Sequence, residues 1–263
     1  MRFMKRLSLL LLCSLLAACA SRPETMSGRF VERSVQVDGA THRYQVFVPS
    51  PAAYQGAPAL VLFLHGSGER GGDNRKQLDA GLGPYLQRHR RDFPALVVLP
   101  QVPDEEEWTG TNARVALAAQ AATLAEFQAD PARVYATGIS MGGYGTWEVA
   151  LLAPERFAAL APVCGAVHPP RPQRPSLRVT PVDGLADPYA AIATRLGGTP
   201  IWMFHGAQDD IVLPEDDHRL VAAFEAAGHP VRYTEYPQGN HNVWDVTYAD
   251  PALWAWLFAQ RRP

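Results

Sequence analysis

The sequence lacks two features that would indicate a metal enzyme or a nucleic-acid-binding protein. It contains no His-Glu-x-x-His motif and no cluster of histidines and cysteines at metal-ligand spacing, so no metal and no organic cofactor are expected. Basic side chains are not in excess either, because 24 Lys and Arg stand against 26 Asp and Glu. This charge balance gives no support to nucleic-acid binding.

The apolar run near the N-terminus is too short for a permanent membrane span. It extends from Leu7 to Leu16, and basic residues precede it, as in a signal peptide: Arg2, Lys5 and Arg6. Residues 16–19, Leu-Ala-Ala-Cys, resemble a bacterial lipobox. The resemblance predicts a lipoprotein signal peptide at residues 1–18 and a lipid on the thiol of Cys19. The alternative is an ordinary signal peptide with an incidental cysteine.

A lipidated Cys19 would make the protein a cell-envelope lipoprotein. Two or three acyl chains on one residue anchor a protein stably, whereas a single chain does not. Ala20 follows the cysteine where an Asp would favour the inner membrane. We therefore expect an outer-membrane location, on the periplasmic face or at the cell surface.

Cysteine is scarce, with three residues in the chain. Cys13 would leave with the signal peptide and Cys19 would carry lipid, so Cys164 would have no partner for an internal disulfide. The residues around Cys164, Ala-Pro-Val-Cys-Gly-Ala, are typical of the end of an apolar strand. An inert buried thiol is therefore expected there rather than a reactive one.

The rest of the sequence is typical of one large α/β domain. Residues 19–32 are predicted to be a tether and residues 33–263 the domain, which begins with a hairpin whose turn is Asp38-Gly39. Continuous apolar runs such as Leu60 to Leu64 and Ala95 to Leu99 follow, with helical segments between them. Such runs predict strands buried on both faces, in a mostly parallel central sheet with helices on both sides.

The main functional signal lies where one apolar run gives way to glycines. Val134 to Thr137 predict a buried strand, Gly138-Ile139-Ser140-Met141-Gly142 follows, and a helix is predicted from about Gly143 to Leu152. Strand, Gly-x-Ser-x-Gly turn and helix together make a nucleophile elbow; the pentapeptide alone would be weak evidence. Ser140 is the predicted nucleophile, and the N–H of Met141 the first oxyanion donor.

A second glycine-rich turn follows the run Leu60 to Leu64. Residues 65–68 are His-Gly-Ser-Gly, and a turn at this place supplies the second oxyanion donor to a nucleophile elbow. The N–H of Ser67 is the first candidate and that of Gly68 the alternative; a plain strand-to-loop turn is the neutral interpretation. Gly68 and Trp108 are also candidates for lining the substrate pocket, although Trp108 could simply be packed.

The candidate acid follows a late predicted strand, Pro200 to Phe204. Asp209 and Asp210 lie on the loop after it, where the chain order Ser, Asp, His places the acid of a triad. Asp209 is the first candidate and Asp210 the second. Either carboxylate could instead cap the helix that begins near Pro214.

The candidate base is found by elimination among the histidines that follow the acid. His218 lies inside a predicted helix, and His229 lies in a turn before a strand. His241 follows the last predicted strand, on a loop that can bring its imidazole over the sheet edge towards Ser140. A surface histidine without a catalytic role is the alternative interpretation.

Residues 168–199 are the unusual segment of the domain. They contain six prolines, together with Arg171, Arg174 and Arg178. A connection of this length between two strands predicts either a cap over the site or a flexible insertion. Its basic side chains could attract an acidic substrate or lipid headgroups, or they could be solvated surface charge.

Four blocks together resemble the bacterial α/β-hydrolase branch of secreted esterases: GISMGGYGTW, LHGSGERGGDN, HGAQDDIVLP and GNHNVWD. That branch includes phospholipase/carboxylesterase-like, feruloyl-esterase-like and polyhydroxybutyrate-depolymerase-like proteins, some labelled predicted peptidases. The resemblance covers roughly residues 35–260 and implies the α/β-hydrolase fold with a Ser/Asp/His site. In this branch the acid matches Asp209 and not Asp210. The segment after Cys164 departs from the pattern.

These residues predict hydrolysis of carboxylic esters by acyl transfer to water. Ser140, Asp209 and His241 would form the triad, and a small-molecule or polymeric ester would be the substrate. A peptidase of the prolyl-oligopeptidase type is the alternative among enzymes. A lipoprotein that keeps the fold without catalysis is the alternative outside enzymes.

Overall fold

An eight-stranded sheet forms the centre of the computed structural model, which describes residues 27–263. The strands are, in chain order, β1 Arg29–Val37, β2 Ala40–Val48, β3 Ala59–Leu64, β4 Ala95–Pro100, β5 Val134–Ile139, β6 Ala159–Val163, β7 Trp202–Gly206 and β8 Arg232–Tyr236. Their order across the sheet is β1-β2-β4-β3-β5-β6-β7-β8. The pairs β1–β2 and β2–β4 are antiparallel, and every pair from β4 to β8 is parallel. The predicted α/β fold with a mostly parallel sheet is confirmed.

Helices cover both faces of this sheet. Over residues 27–263 they are α1 Leu82–Arg88, α2 Gly110–Glu126, α3 Met141–Leu152, α4 Pro188–Leu196, α5 Glu215–Ala226, α6 Trp244–Ala249 and α7 Pro251–Ala259. On one face, side chains of α2 to α5 pack with Leu60, Leu62 and Leu64 of β3 in one core. On the other face, side chains of α1, α6 and α7 pack with Val61 and Phe63 of β3 in a second core. Alternate residues of a buried strand therefore serve opposite cores, which explains the continuous apolar runs.

The predicted hairpin is present, but it begins earlier than expected. Asp38 and Gly39 have φ values of 51° and 79°, as a two-residue hairpin turn with two positive φ angles requires. β1 begins at Arg29, and its register pairs Arg29 with Val48. The predicted tether boundary at residue 32 is therefore wrong. Residues 29–32 belong to β1, but their side chains are exposed or half-buried, so neither an apolar run nor a regular alternation indicates a strand there.

Several predictions lie outside the described residues. The signal peptide at residues 1–18, the lipidated Cys19 and most of the tether fall within residues 1–26. Within residues 27–263, no helix is both long enough and apolar enough to cross a membrane.

Residues 168–199 are held against the body of the domain by buried polar contacts. The guanidinium of Arg174 donates to both oxygens of Glu107 at 2.9 and 2.8 Å. Further along, the N–H of Thr180 donates to the buried carboxylate of Glu148 at 2.7 Å. The segment ends in α4, which packs against α5. These contacts favour a docked cap over a flexible insertion; whether it acts as a lid stays a prediction.

Candidate active site

Ser140 occupies the turn between β5 and α3 in a backbone conformation that few residues other than glycine adopt. Its φ is 52° and its ψ is −117°, and such a conformation costs a non-glycine residue about 1–3 kcal/mol. The N–H of Ser140 donates to the carbonyl of Val163 at 2.9 Å, and its carbonyl accepts from the N–H of Gly143 at 2.7 Å. The turn thus holds the serine at the carboxyl end of β5.

The two glycines of the elbow are required by close backbone approach. A Cβ atom on Gly142 would overlap the carbonyl oxygen of Leu64, and one on Gly138 would overlap the carbonyl oxygen of Gly142. Strand β3, the turn and helix α3 therefore pass each other at a distance that only glycine permits.

His241 lies between Ser140 and Asp209. Its Nε2 is 2.9 Å from the Oγ of Ser140, and its Nδ1 is 2.7 Å from the Oδ2 of Asp209. Ser140 follows β5, Asp209 lies on the loop after β7, and His241 lies on the loop after β8. Because these strands are parallel, all three side chains lie at the same end of the sheet, where the carboxyl ends of the strands meet. In this arrangement the imidazole can accept the serine proton while it donates to the carboxylate.

The carboxylate of Asp209 is buried and surrounded by donors. Its Oδ1 accepts from the N–H groups of Ile211 and Val212, each at 2.9 Å. Burial by itself would raise the pKa of Asp209, but hydrogen bonds from His205, His241 and Val212 outweigh it and hold the pKa below its ordinary value. The Asp209 side chain is therefore a carboxylate at neutral pH.

The other candidates for acid and base lie in different surroundings. Asp210 is exposed, next to the buried Asp209. His218, on α5, places its Nε2 2.5 Å from the Oε2 of Glu235 on β8. His229 is exposed in the turn before β8. The geometry thus brings Ser140, His241 and Asp209 together.

The candidate oxyanion donors lie at the start of helix α3 and at the start of a short 3₁₀ turn. Met141 is the first residue of α3, so its N–H belongs to the first turn, whose donors have no intrahelical acceptor. Ser67 begins a 3₁₀ turn directly after β3. A Cβ atom on the preceding Gly66 would lie 3.6 Å from the carbonyl oxygen of Ile139, so the two turns are neighbours. Both donors stay predictions, and Gly68 is exposed on the same turn.

The side chain of Trp108 is packed in the core, which is the alternative that the sequence left open for this pocket candidate. Its side chain is 2% exposed, and the indole Nε1 donates to the carbonyl of His65 at 2.9 Å. A Cβ atom on Gly145 of α3 would lie 2.7 Å from the Trp108 side chain, so the ring packs directly on that helix. The tryptophan therefore belongs to the core, since the absence of a side chain at Gly145 makes room for it.

A cavity of about 190 Å³ opens beside the triad loops. Its wall includes Tyr144, four residues after the serine, and Val212, three residues after the acid. The start of the 168–199 segment supplies the opposite wall, with Pro169 and Pro170. The cap segment thus shapes a largely apolar space beside the first turn of α3 and the loop after β7.

The candidate acid and two neighbouring side chains have donor atoms at a spacing that a metal ion could bridge. Ligand atoms of Cys164, His205 and Asp209 lie within 4.8 Å of one another. Burial raises the pKa of the Cys164 thiol well above its usual range, so the ligating thiolate is disfavoured. The Oδ2 of Asp209 accepts from His241. These groups serve hydrogen bonds and the core, and the buried, protonated Cys164 agrees with an inert thiol.

Sequence reasoning misses two buried residues beside the triad, His205 on β7 and Asp217 on α5. The histidine precedes the candidate acid in the chain, so the expected triad order excludes it as the base. The aspartate lies among the charged residues that open α5, where a carboxylate usually faces solvent. The signal in the sequence that could have indicated His205 is its position in a His-Gly pair at the end of a buried strand.

The chain is similar to known proteins in sequence and in structure. The sequence model of the Dienelactone hydrolase family matches residues 101–245. A probable carboxylesterase of Oryza sativa subsp. japonica is 25% identical over 218 residues, which cover 73% of this chain and 85% of the relative. The family match extends over the elbow, the acid and the base.

Solved structures share the architecture. A thermostable esterase is 31% identical with a TM-score of 0.69, and the match covers 89% of this chain. The chain spans 63% of the length of that esterase, which is less than two thirds. A ferulic acid esterase has a TM-score of 0.64 and 14% identity, with 89% of this chain and 99% of the other covered. At that identity the second structure shows the fold alone.

Proposed function

Because the chain belongs to the dienelactone hydrolase family, within the α/β-hydrolase superfamily that its motifs predict, we propose that it hydrolyses carboxylic esters through an acyl-serine intermediate. The observation that carries the proposal is the line of hydrogen bonds from Ser140 through His241 to Asp209, at 2.9 and 2.7 Å. Unrelated folds use the same spatial arrangement of serine, histidine and carboxylate for nucleophilic catalysis.

In the first half-reaction the Oγ of Ser140 attacks the ester carbonyl carbon. The Nε2 of His241 takes the hydroxyl proton, and Asp209 fixes the tautomer and offsets the imidazolium charge. The N–H groups of Met141 and Ser67 stabilise the oxyanion, and the loss of one such donor typically costs about 2.7–4 kcal/mol. When the tetrahedral intermediate collapses, the bond to the alcohol oxygen breaks and His241 gives that oxygen its proton.

In the second half-reaction water replaces the alcohol. His241 removes a proton from water as it attacks the acyl carbon, and the same oxyanion donors stabilise the second tetrahedral intermediate. Collapse of this intermediate breaks the bond to Ser140, whose Oγ recovers a proton from His241. The products are a carboxylic acid, an alcohol and the original enzyme.

The space beside the triad fits the acyl or alcohol part of a small ester. The cavity of about 190 Å³ is lined by apolar side chains such as Val212 and Leu213 and by the prolines of the cap segment. Its charged or titratable groups include His168 of the cap segment and, on the side of α5, Glu215 and Asp216. A small-molecule ester, or the end of a polymeric one, is therefore the proposed substrate.

Short p-nitrophenyl esters, compared with p-nitroanilides of the same acyl groups, test this proposal. We expect turnover of esters that is lost in Ser140→Ala and kept in Cys164→Ala, whose thiol is buried. Faster turnover of the anilides would favour the alternative peptidase of prolyl-oligopeptidase type. Activity that survives Ser140→Ala would contradict the assigned nucleophile, and no turnover of either class would favour a non-catalytic lipoprotein.

We also propose that a lipid on Cys19 anchors the domain in the cell envelope. The support is the lipobox-like sequence Leu-Ala-Ala-Cys at residues 16–19. Mass spectrometry of the mature N-terminus tests it, with diacylglyceryl cysteine expected at position 19. A mature chain that begins elsewhere, or membrane fractionation unchanged in Cys19→Ala, would contradict the anchor.

A further inference from the structure

A second histidine–carboxylate pair lies directly behind the candidate triad. The imidazole of His205, at the end of β7, is fully buried, and its Nδ1 is 2.8 Å from the Oδ2 of Asp217 on α5. Its Nε2 is 3.2 Å from the Oδ2 of Asp209 and 2.8 Å from the carbonyl oxygen of Val212. Polar contacts thus continue from Ser140 through His241, Asp209 and His205 to Asp217.

Both ring nitrogens of His205 face oxygen atoms that can only accept while the two aspartates are ionised. A neutral imidazole has one N–H and one bare nitrogen, and a bare nitrogen beside a carboxylate or carbonyl oxygen would be unpaired and repelled. The surroundings therefore require a proton on each side of the ring, with the proton at Nδ1 shared with Asp217. Whether the shared proton lies on Nδ1 or on the carboxylate of Asp217, Nε2 carries a hydrogen that points at Asp209 and Val212.

The burial of this pair agrees with such a shared proton. Burial alone would lower the pKa of His205, but its hydrogen bonds to Asp209 and Asp217 raise it to about 10. Burial raises the pKa of Asp217. Other titratable groups near the ring lie on the neighbouring elements: Cys164 after β6, Asp216 and His218 on α5, and Tyr233 and Glu235 on β8.

The same oxygen of Asp209 serves both histidines. Its Oδ2 is 2.7 Å from the Nδ1 of His241 and 3.2 Å from the Nε2 of His205, while backbone N–H groups hold the Oδ1. A donor on the far side of Oδ2 fixes the rotation of the carboxylate. It also withdraws part of the negative charge that would otherwise favour a proton on His241.

We propose that His205, held in place by Asp217, is a positioning residue that orients the carboxylate of Asp209 towards His241 and limits its pull on the His241 proton. The inference rests on the proposed ester hydrolysis. His205 touches neither the substrate nor the serine, and it acts on the reaction through Asp209. Its effect therefore falls on kcat and on the pH dependence rather than on substrate affinity.

Nitrogen NMR of the inactive Ser140→Ala protein, labelled with ¹⁵N-histidine, tests the geometry without any need for activity. The His205 signals are assigned by their absence in the double variant His205→Leu/Asp217→Val. We expect a proton on Nε2 of His205 at neutral pH that exchanges slowly with water. A bare Nε2 would overturn the proposal, because no donor would then face Asp209.

Kinetics of the double variant test the effect on the reaction. Replacing both members of a buried pair by apolar side chains of similar size is often nearly neutral for stability, so the variant separates function from folding. We expect kcat to fall about 10- to 100-fold, with KM changed less than about twofold. We also expect the acid limb of kcat/KM to move to higher pH, because Asp209 then holds the His241 proton more firmly.

Glu148→Gln is the matched control, since Glu148 is another buried carboxylate, on α3, that binds Thr180 instead of a histidine. It should leave the acid limb where it is in the wild type. An unchanged kcat in the double variant, or an acid limb that stays in place or moves to lower pH, would overturn the proposal. If the wild type hydrolysed no ester, that result would contradict the proposed function. The NMR experiment would still test the position of the His205 proton.

Discussion

The Nε2 of His241 lies 2.9 Å from the Oγ of Ser140, although 101 residues separate them in the chain. The elbow after β5 fixes the serine, and the loop after β8 brings the imidazole across the sheet edge. Each side chain is positioned by a different part of the fold, so variants can test the contributions one at a time.

The acid is tested by Asp209→Asn and Asp210→Asn. The first substitution removes the carboxylate that accepts the Nδ1–H of His241, and we expect kcat to fall by about 10⁴-fold because the wrong tautomer is then favoured. The second changes an exposed side chain and is expected to leave kcat nearly unchanged. Steady-state kinetics on a short ester decide the point. A larger loss in Asp210→Asn would exchange the two assignments.

The elbow is tested by Gly142→Ala. The added methyl group would overlap the carbonyl oxygen of Leu64, so strand β3 and helix α3 must separate. We expect the free energy of unfolding, measured with urea, to fall by about 1–3 kcal/mol. Gly198→Ala is the control, because a Cβ atom there meets nothing within 4 Å. Equal stability of the two variants would show that the elbow is less tightly packed than described.

The attachment of the cap segment is tested by Arg174→Ala. This change leaves the carboxylate of Glu107 buried without its bidentate partner, and we expect a loss of up to about 3 kcal/mol in unfolding free energy. The exposed pair of Arg33 and Glu126 provides the comparison, and Arg33→Ala is expected to lose less. A double variant that also changes Glu107 to Gln should lose less than the sum of the single changes. Additive losses would argue against the ion pair.

The charge of His205 predicts how stability depends on alkaline pH. Against the effect of burial, hydrogen bonds to Asp209 and Asp217 raise the pKa of His205 from 6.5 to about 10. The folded state thus holds this proton more tightly than the unfolded chain. The contribution to stability is complete below about pH 6.5 and is lost as the pH rises through about 10.

Urea unfolding across that range checks the sign. The wild type is expected to lose stability as the pH rises, and His205→Leu/Asp217→Val is expected to show a flatter dependence, because it has no such proton to lose. Identical slopes for the two proteins would mean that His205 carries no extra proton in the folded state.

The elements that set the candidate site were accessible from the sequence because their signals are local. The glycines of the elbow, the apolar run of β5 and the turn after β3 each reflect a constraint within a few residues. The order of the motifs then indicated His241 as the base and Asp209 or Asp210 as the acid, and the resemblance to the esterase branch favoured Asp209. These are features that backbone geometry imposes on any sequence with such a turn.

Other features depend on contacts between distant parts of the chain. The Trp108 ring can pack on α3 because Gly145, 37 positions later in the sequence, has no side chain. The first residues of β1, Arg29 to Glu32, show too weak a pattern to be recognised without the partner strand β2. In the 168–199 segment, the many prolines gave no indication of a helix, so α4 was not predicted. Pro188 nevertheless lies at the first position of α4, and Asp187 caps it. The pairing of His205 with Asp217 joins a strand to a helix, and no local pattern marks it.

Labelling with a fluorophosphonate, followed by peptide mass spectrometry, tests the central claim most directly. Such a reagent reacts with a serine that a neighbouring base activates. The account predicts one adduct, on the peptide that contains Ser140, together with loss of ester hydrolysis in proportion to labelling, and no adduct in Ser140→Ala or His241→Ala. An adduct on another residue, or full labelling of His241→Ala, would contradict it.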